Sequence, residues 1–364
     1  MSARLLPPSN AIGNGDGENG SSFAKLFKRA SEFNRRYVYK EAATLFLLAY
    51  KEASTSSEQC RALDGAGFAL MELGQEESAV SCLKEAEQLL PKTNASRSTA
   101  LSTLCQSAEE SFKYKEDSAE LLRGELSRAM GKKPRDVLVV FGLLMQSISA
   151  HCAAASFLMS GLEDKDPVKG RDNLQLAKFY VEEAREGARD IQSIVNEVEP
   201  KRSDLEPVAR DMGVEPELCK ARLSILENNV GEARRLMQAS SIFIEQATLD
   251  VDVRLMAGRL FEKVGLRTEA VKTLNAVTAE WGGYAEAWYY LAELYLKMDD
   301  LRKARESVEK LLKCGPGAPK EDSQAIVSLR NKIQDRMDLL QSDVSIDEEE
   351  CHGRKLTFGI ENQS

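Results

Sequence analysis

Histidine occurs only twice in these 364 residues, at positions 151 and 352, each time beside a cysteine and in unrelated surroundings. Neighbouring side chains on a helix point apart, so neither pair suits a metal site or a Cys–His nucleophile. The seven cysteines (Cys60, Cys82, Cys105, Cys152, Cys219, Cys314, Cys351) are scattered, odd in number and never spaced as Cys-x-x-Cys. This excludes a disulfide framework or zinc knuckle and indicates a reducing compartment, the cytoplasm or the nucleus. Residues 1–22 hold Pro7, Pro8 and the run GNGDGENGSS but lack the apolar core of a signal peptide, and they read as a disordered tail. Without an entry signal, the sequon Asn94-Ala95-Ser96 is read as chance. Gly13, Gly15, Gly17 and Gly20 follow no strand and precede no Lys-Ser/Thr pair, so they do not form a phosphate loop. Positive charge is also short: the net charge is −9, which argues against nucleic acid as a partner. The 58 acidic residues fall on solvent faces of amphipathic helices rather than in catalytic pairs. No catalytic residue, cofactor or metal site is expected, and the chain does not read as an enzyme.

What is present is helical periodicity, in a composition 43% hydrophobic and 29% charged. One stretch repeats at an interval of 34 residues. Ala285 to Ala318 carries Trp288, Leu291, Ala292, Tyr295, Ala304, Val308, Leu311 and Pro316, and Val251 to Tyr284 carries Ala257, Gly258, Phe261, Gly265, Ala270, Leu274 and Val277 in the same frame. A third unit, Cys60 to Thr93, aligns through Leu63, Ala66, Gly67, Leu70, Gly74, Ala79, Leu83, Ala86 and Pro91. Phe23 to Ser56 aligns through Leu26, Ala30, Phe33, Ala42, Phe46 and Ala49. Val214 to Ala247 aligns through Ala221, Ala233 and Met237, and Ser98 to Met130 reads as a decayed unit with Ala119 in the second helix. These spacings resemble the tetratricopeptide-repeat (TPR) family, whose unit is a helical hairpin. Small residues such as Gly258 and Ala292 then let the first helix approach the second, and Gly265 suits the turn between them. Asp299 departs from that preference.

The centre differs. Val137 to Leu162 contains no Asp, Glu, Lys or Arg over 26 residues, long enough for a membrane span. Its small and polar residues (Gly142, Gln146, Ser149, Ala153, Ser156, Ser160) recur as a stripe that would let another helix approach. A buried central helix is therefore preferred to a membrane span, with Asp136 as N-cap and Gly161 as terminator. Its partner, from Asn173 to about Glu197, carries Leu174, Ala177, Tyr180, Val181, Ala184, Ala188, Ile191 and Val195 on one face. The expected architecture is an all-α, TPR-like helical-hairpin solenoid with an atypical central pair and disordered termini. Its order is a tail at 1–22, a first block at 23–131, the central hairpin at 132–200, a linker at 201–216, a second block with a capping helix at 217–341 and an acidic tail at 342–364. That tail holds five acids between Asp343 and Glu350, and Ser345 beside them is a candidate phosphorylation site.

The resemblance further implies a groove lined from the first helix of each unit. In the second block it would be lined by Asp252, Leu255, Arg259, Glu262 and Lys263, then by Glu286, Tyr289, Glu293, Leu296 and Lys297. Tyrosine offers contact area with a hydroxyl, which makes Tyr289 the first candidate contact. The basic clamp by which some family members grip acidic chaperone tails is absent: Phe27, Ser31 and Gly65 occupy its places in the first block, and Leu218, Arg222, Met256, Glu286 and Tyr290 in the second. The expected function is that of a protein-binding adaptor or assembly scaffold. A chaperone for a basic client, or a membrane-anchored organiser, is the alternative.

Overall fold

The computed structural model describes residues 21–105, 107–131, 137–163, 167–198, 204–314 and 323–339. Every regular element among them is a helix, and the chain divides into two compact units, Met1–Leu226 and Glu227–Ser364. Of the expected tails at 1–22 and 342–364, residues 1–20 and 342–364, with Ser345, lie outside the described residues, as does the expected cap Asp136, while Ser22 already begins a helix.

The first unit opens with three helical hairpins. They are α1 (Ser22–Arg35) with α2 (Tyr39–Glu52), α3 (Ser56–Glu72) with α4 (Glu76–Leu89), and α5 (Ala95–Leu104) with α6 (Ala108–Gly131). Local chemistry starts several of them. Ser21 caps α1, Asn94 caps α5, and Thr55 with Glu58 forms a reciprocal capping box on α3. The close approach expected of small residues is present. A Cβ added at Gly67 would lie 2.7 Å from the Leu83 side chain, and one at Gly65 would lie 2.7 Å from the Phe46 ring. Only hydrogen fits at either place.

The core then passes to α7 (Val137–Glu163) and α8 (Pro167–Val198). By length and composition α7 could cross a membrane. Here it packs on α6 and α8 and buries Phe141, Leu144, Ile148, Cys152 and Met159. Opposite them, α8 buries Ala177, Tyr180, Val181, Ala184, Ile191 and Val195, the apolar stripe read from its sequence. The stripe of small residues on α7 does not act as expected. Gln146 and Ser149 are exposed, and a Cβ at Gly142 would meet nothing within 4 Å. Only its C-terminal end receives a helix, α10 (Val214–Leu226), whose Arg222 donates to the Ser160 hydroxyl at 3.0 Å. The larger apolar residues Leu144, Ile148 and Met159 supply more buried area and so decide which face turns inward.

The expected linker at 201–216 is also corrected. Leu205–Met212 forms a helix, α9, because Leu205 and Ala209, four residues apart, fall on one face and enter the core with Cys219 and Leu223 of α10. The division between units falls after Leu226 instead.

The second unit contains α11 (Val230–Gln246), then the hairpins α12 (Val251–Lys263) with α13 (Arg267–Glu280) and α14 (Ala285–Lys297) with α15 (Leu301–Leu311). A last helical stretch, 324–339, buries Ile326, Leu329 and Ile333 as a capping helix should. A Cβ at Gly258 would lie 2.7 Å from Leu274, the same relation as Gly67 to Leu83.

Candidate partner-binding face

The first helices of the two C-terminal hairpins, α12 and α14, bring most of the expected groove residues together. Position by position, the side chains are tied across and along these helices. The Tyr284 hydroxyl, just ahead of α14, donates to Asp252 on α12. The Arg259 guanidinium lies 4.5 Å from the centroid of the Tyr290 ring, a cation–π contact between the helices. The Tyr290 hydroxyl donates to Glu286 at 3.1 Å, and the Tyr289 hydroxyl donates to Glu293 at 3.2 Å, each one turn along α14. At the far end Lys297 donates to Glu262 at 2.8 Å. The Tyr289 and Tyr290 rings meet edge to face, with centroids 5.8 Å apart.

Burial and the neighbouring carboxylates act together on the phenols. Partial burial, then Glu293, pushes the Tyr289 hydroxyl up, and burial foremost pushes that of Tyr290 up to about 12, with Arg259 opposing. Burial, then the hydrogen bond to Asp252, raises Tyr284 further. All three are neutral donors across the physiological range. The face therefore presents aromatic edges, phenolic donors and the carboxylates of Asp252, Glu262, Glu286 and Glu293 beside the cations Arg259, Lys263 and Lys297. Such a surface can bind by contact and hydrogen bonding. Among the described residues no group of His, Cys, Asp or Glu is arranged to hold a metal.

Leu255, expected to face the groove, is buried. Its neighbours in sequence explain this: α12 is apolar at Leu255, Ala257, Gly258, Leu260 and Phe261, and the buried arc is wide enough to take in Leu255. Leu296 is half-buried, while Asp252, Glu286 and Lys297 are exposed. Two residues of this cluster lie outside the expected groove positions: Tyr284 stands in the loop before its helix, and Tyr290, noted from sequence only as an occupant of a clamp place, sits one position beyond Tyr289.

The turns complete the description of the repeat. Residues with positive φ close five helix ends: Tyr37 (63°), Gly74 (70°), Asn228 (60°), Gly265 (79°) and Asp299 (57°). At Gly74, Gly265, Asp299 and Tyr37 the same pair of backbone bonds recurs, as in Gly265 N–H to Glu262 C=O and Leu266 N–H to Phe261 C=O. This is a left-handed helix cap repeated through the chain.

Helical hairpins with these turns and with glycine or alanine at the crossing define a helical-repeat protein. Residues 265–321 match the model of the tetratricopeptide-repeat family. Among solved structures, the assembly chaperone of RpL4 (Acl4), residues 1–338, aligns with 78% of this chain and 99% of its own at a TM-score of 0.60 and 18% identity. A tetratricopeptide repeat protein from Parabacteroides merdae aligns with 86% of this chain and 100% of its own, at a TM-score of 0.51 and 14% identity. At these identities the likeness is one of fold. No curated protein sequence matches the chain.

Proposed function

We propose that this protein is a non-catalytic binding scaffold that holds a segment of a partner protein against α12 and α14. The observation that carries this reading is the cluster of Tyr284, Tyr289 and Tyr290, half-buried yet reachable, with their hydroxyls held by carboxylates. Rigid aromatic side chains with a polar end give large contact area at small entropic cost. The reading is tested by affinity capture from extract of the source cells with the wild type and with a Tyr289→Ala, Arg259→Ala variant of unchanged helicity. Loss of a captured protein in the variant supports it. An identical set of captured proteins removes α12 and α14 from consideration.

A second reading, an assembly chaperone for a basic client, is favoured by two observations. The face has four carboxylates against three cations in a chain of net charge −9, and the fold resembles that of Acl4, an assembly chaperone of RpL4. Under this reading a lysine- and arginine-rich peptide binds the full chain, and Glu286→Gln with Glu293→Gln weakens it. Binding indifferent to those two substitutions leaves only the scaffold reading.

A further inference from the structure

We propose that the outer face of α1 is a docking site for a short acidic segment of another protein. Five cations, Lys25, Lys28, Arg29, Arg35 and Arg36, and one carboxylate, Glu32, occupy this helix and its cap. At about 100° per residue they fall within an arc of roughly 120°, opposite the side that buries Phe23 and Ala30. All five cations are exposed. Among the described residues none of them has a carboxylate within ion-pair distance. Arg35 donates to Ser31 C=O of its own helix at 3.4 Å, and Arg29 lies 5.8 Å from the Phe33 ring.

Several exposed cations on other helices are paired with acids. Lys84 pairs with Glu110, Lys272 with Glu245, Arg302 with Glu306, Arg305 with Glu309 and Arg336 with Asp299. In a chain of net charge −9, a helix face that gathers five cations around a single acid, Glu32, without an ion pair among them is a local excess of positive charge. Like charges one turn apart disfavour the helix, and a bound anion would relieve that repulsion.

The dimensions select the occupant. From Lys25 to Arg36 the helix rises about 16 Å, the length of roughly five residues of extended chain. Exposed acids stand on the helices packed with α1, Glu41 and Glu52 on α2 and Glu72 on α3. A nucleic acid, whose charge continues beyond a stripe of this length, would leave most of its phosphates unmatched. A short run of Asp and Glu would not.

The test is fluorescence anisotropy of a labelled peptide of alternating Glu and Asp with the full chain. Saturable binding at low salt that fades as screening increases is expected. Lys25→Glu, Arg29→Glu, Arg36→Glu together should weaken it about tenfold or more, and Lys25→Gln or Arg36→Gln singly about threefold, with circular dichroism unchanged. A control reversing Arg302 and Arg305 on α15 should leave it intact. The proposal is overturned by no binding at low salt, by equal loss in the control, by single variants that bind as the wild type does, or by an oligouridylate of equal charge that binds more tightly.

Discussion

Arg97 and Asp64 form a buried fork: Nε donates to Oδ1 at 2.7 Å and Nη2 to Oδ2 at 3.2 Å, with the arginine 1% exposed. The remaining donors are used as well. Nη1 reaches Ala86 C=O, Leu90 C=O and Glu87, and Nη2 reaches Cys60 Sγ and Thr93 Oγ1. One side chain of α5 thus satisfies the last carbonyls of α4 and joins α3 to the third hairpin. A cation at a helix C-terminus is also favoured by the helix dipole. Arg97→Met leaves Asp64 buried without its partner and should cost about 3–5 kcal/mol. Adding Asp64→Leu should recover much of it, because the burial of an unpaired charge is removed. Urea unfolding of the two variants checks this; equal destabilisation would show that the packing, not the charge pair, matters here. Arg97→Lys should fail to substitute, lacking the planar fork.

Gly258 and Leu274 are matched in size. Moving on by 34 residues reaches Ala292 and Val308, where the first helix carries a larger residue and the second a smaller one. Gly258→Ala alone should cost about 1–3 kcal/mol by overpacking. Gly258→Ala with Leu274→Val recreates the pairing of the next repeat and should regain most of that loss. The measurement is a double-mutant cycle by denaturant unfolding, and additive effects would refute the size match.

Tyr37 and Asp299 hold the turn position that Gly74 and Gly265 hold elsewhere, at φ values of 63° and 57°. A side chain there costs roughly 1–2 kcal/mol, and glycine's greater unfolded freedom offsets part of the gain. Tyr37→Gly and Asp299→Gly should therefore each raise the Tm slightly, Tyr37→Gly by more. The ion pair lost between Asp299 and Arg336 is well exposed and contributes little. A fall in Tm for both would mean that Tyr37 and Asp299 contribute contacts worth more than the relieved strain.

The residues that specify the hairpins were legible because packing leaves a periodic record. Gly258, Ala270, Phe261 and their counterparts recur because every unit solves the same crossing, and Gly265 marks the turn. The proposed binding face leaves a weaker record. The register puts Tyr289 on that face, but Tyr284 lies in a loop, and its meeting with Asp252 depends on how one repeat stacks on the next. Leu255 was misplaced because a fixed register ignores how wide an apolar arc a particular helix has. On α7, apolar nearly all round, periodicity could not tell which face would turn inward. On α9, Pro207 and the charges at Glu206, Arg210 and Asp211 obscured the short apolar face of Leu205 and Ala209.

His151, on the buried side of α7, makes stability depend on pH. It is 2% exposed, its Nδ1 donates to Ser147 C=O at 2.6 Å, and its Nε2 lies 3.5 Å from the Arg123 guanidinium and 4.0 Å from Glu183. Burial foremost lowers its pKa; Arg123 acts the same way, and the Ser147 bond and Glu183 oppose. Above the unfolded value of about 6.5 the ring is neutral in both states and contributes no pH dependence. As pH falls through that value the unfolded chain binds a proton that the folded chain still refuses, so stability declines until the folded pKa is reached. Wild type should therefore lose more of its urea midpoint between about pH 7.5 and pH 5.5 than His151→Gln, which has nothing to titrate at this place. The carboxylates elsewhere contribute equally to both proteins, so the difference between the two slopes isolates the imidazole. Parallel slopes would mean that Glu183 compensates the imidazolium fully in the folded state.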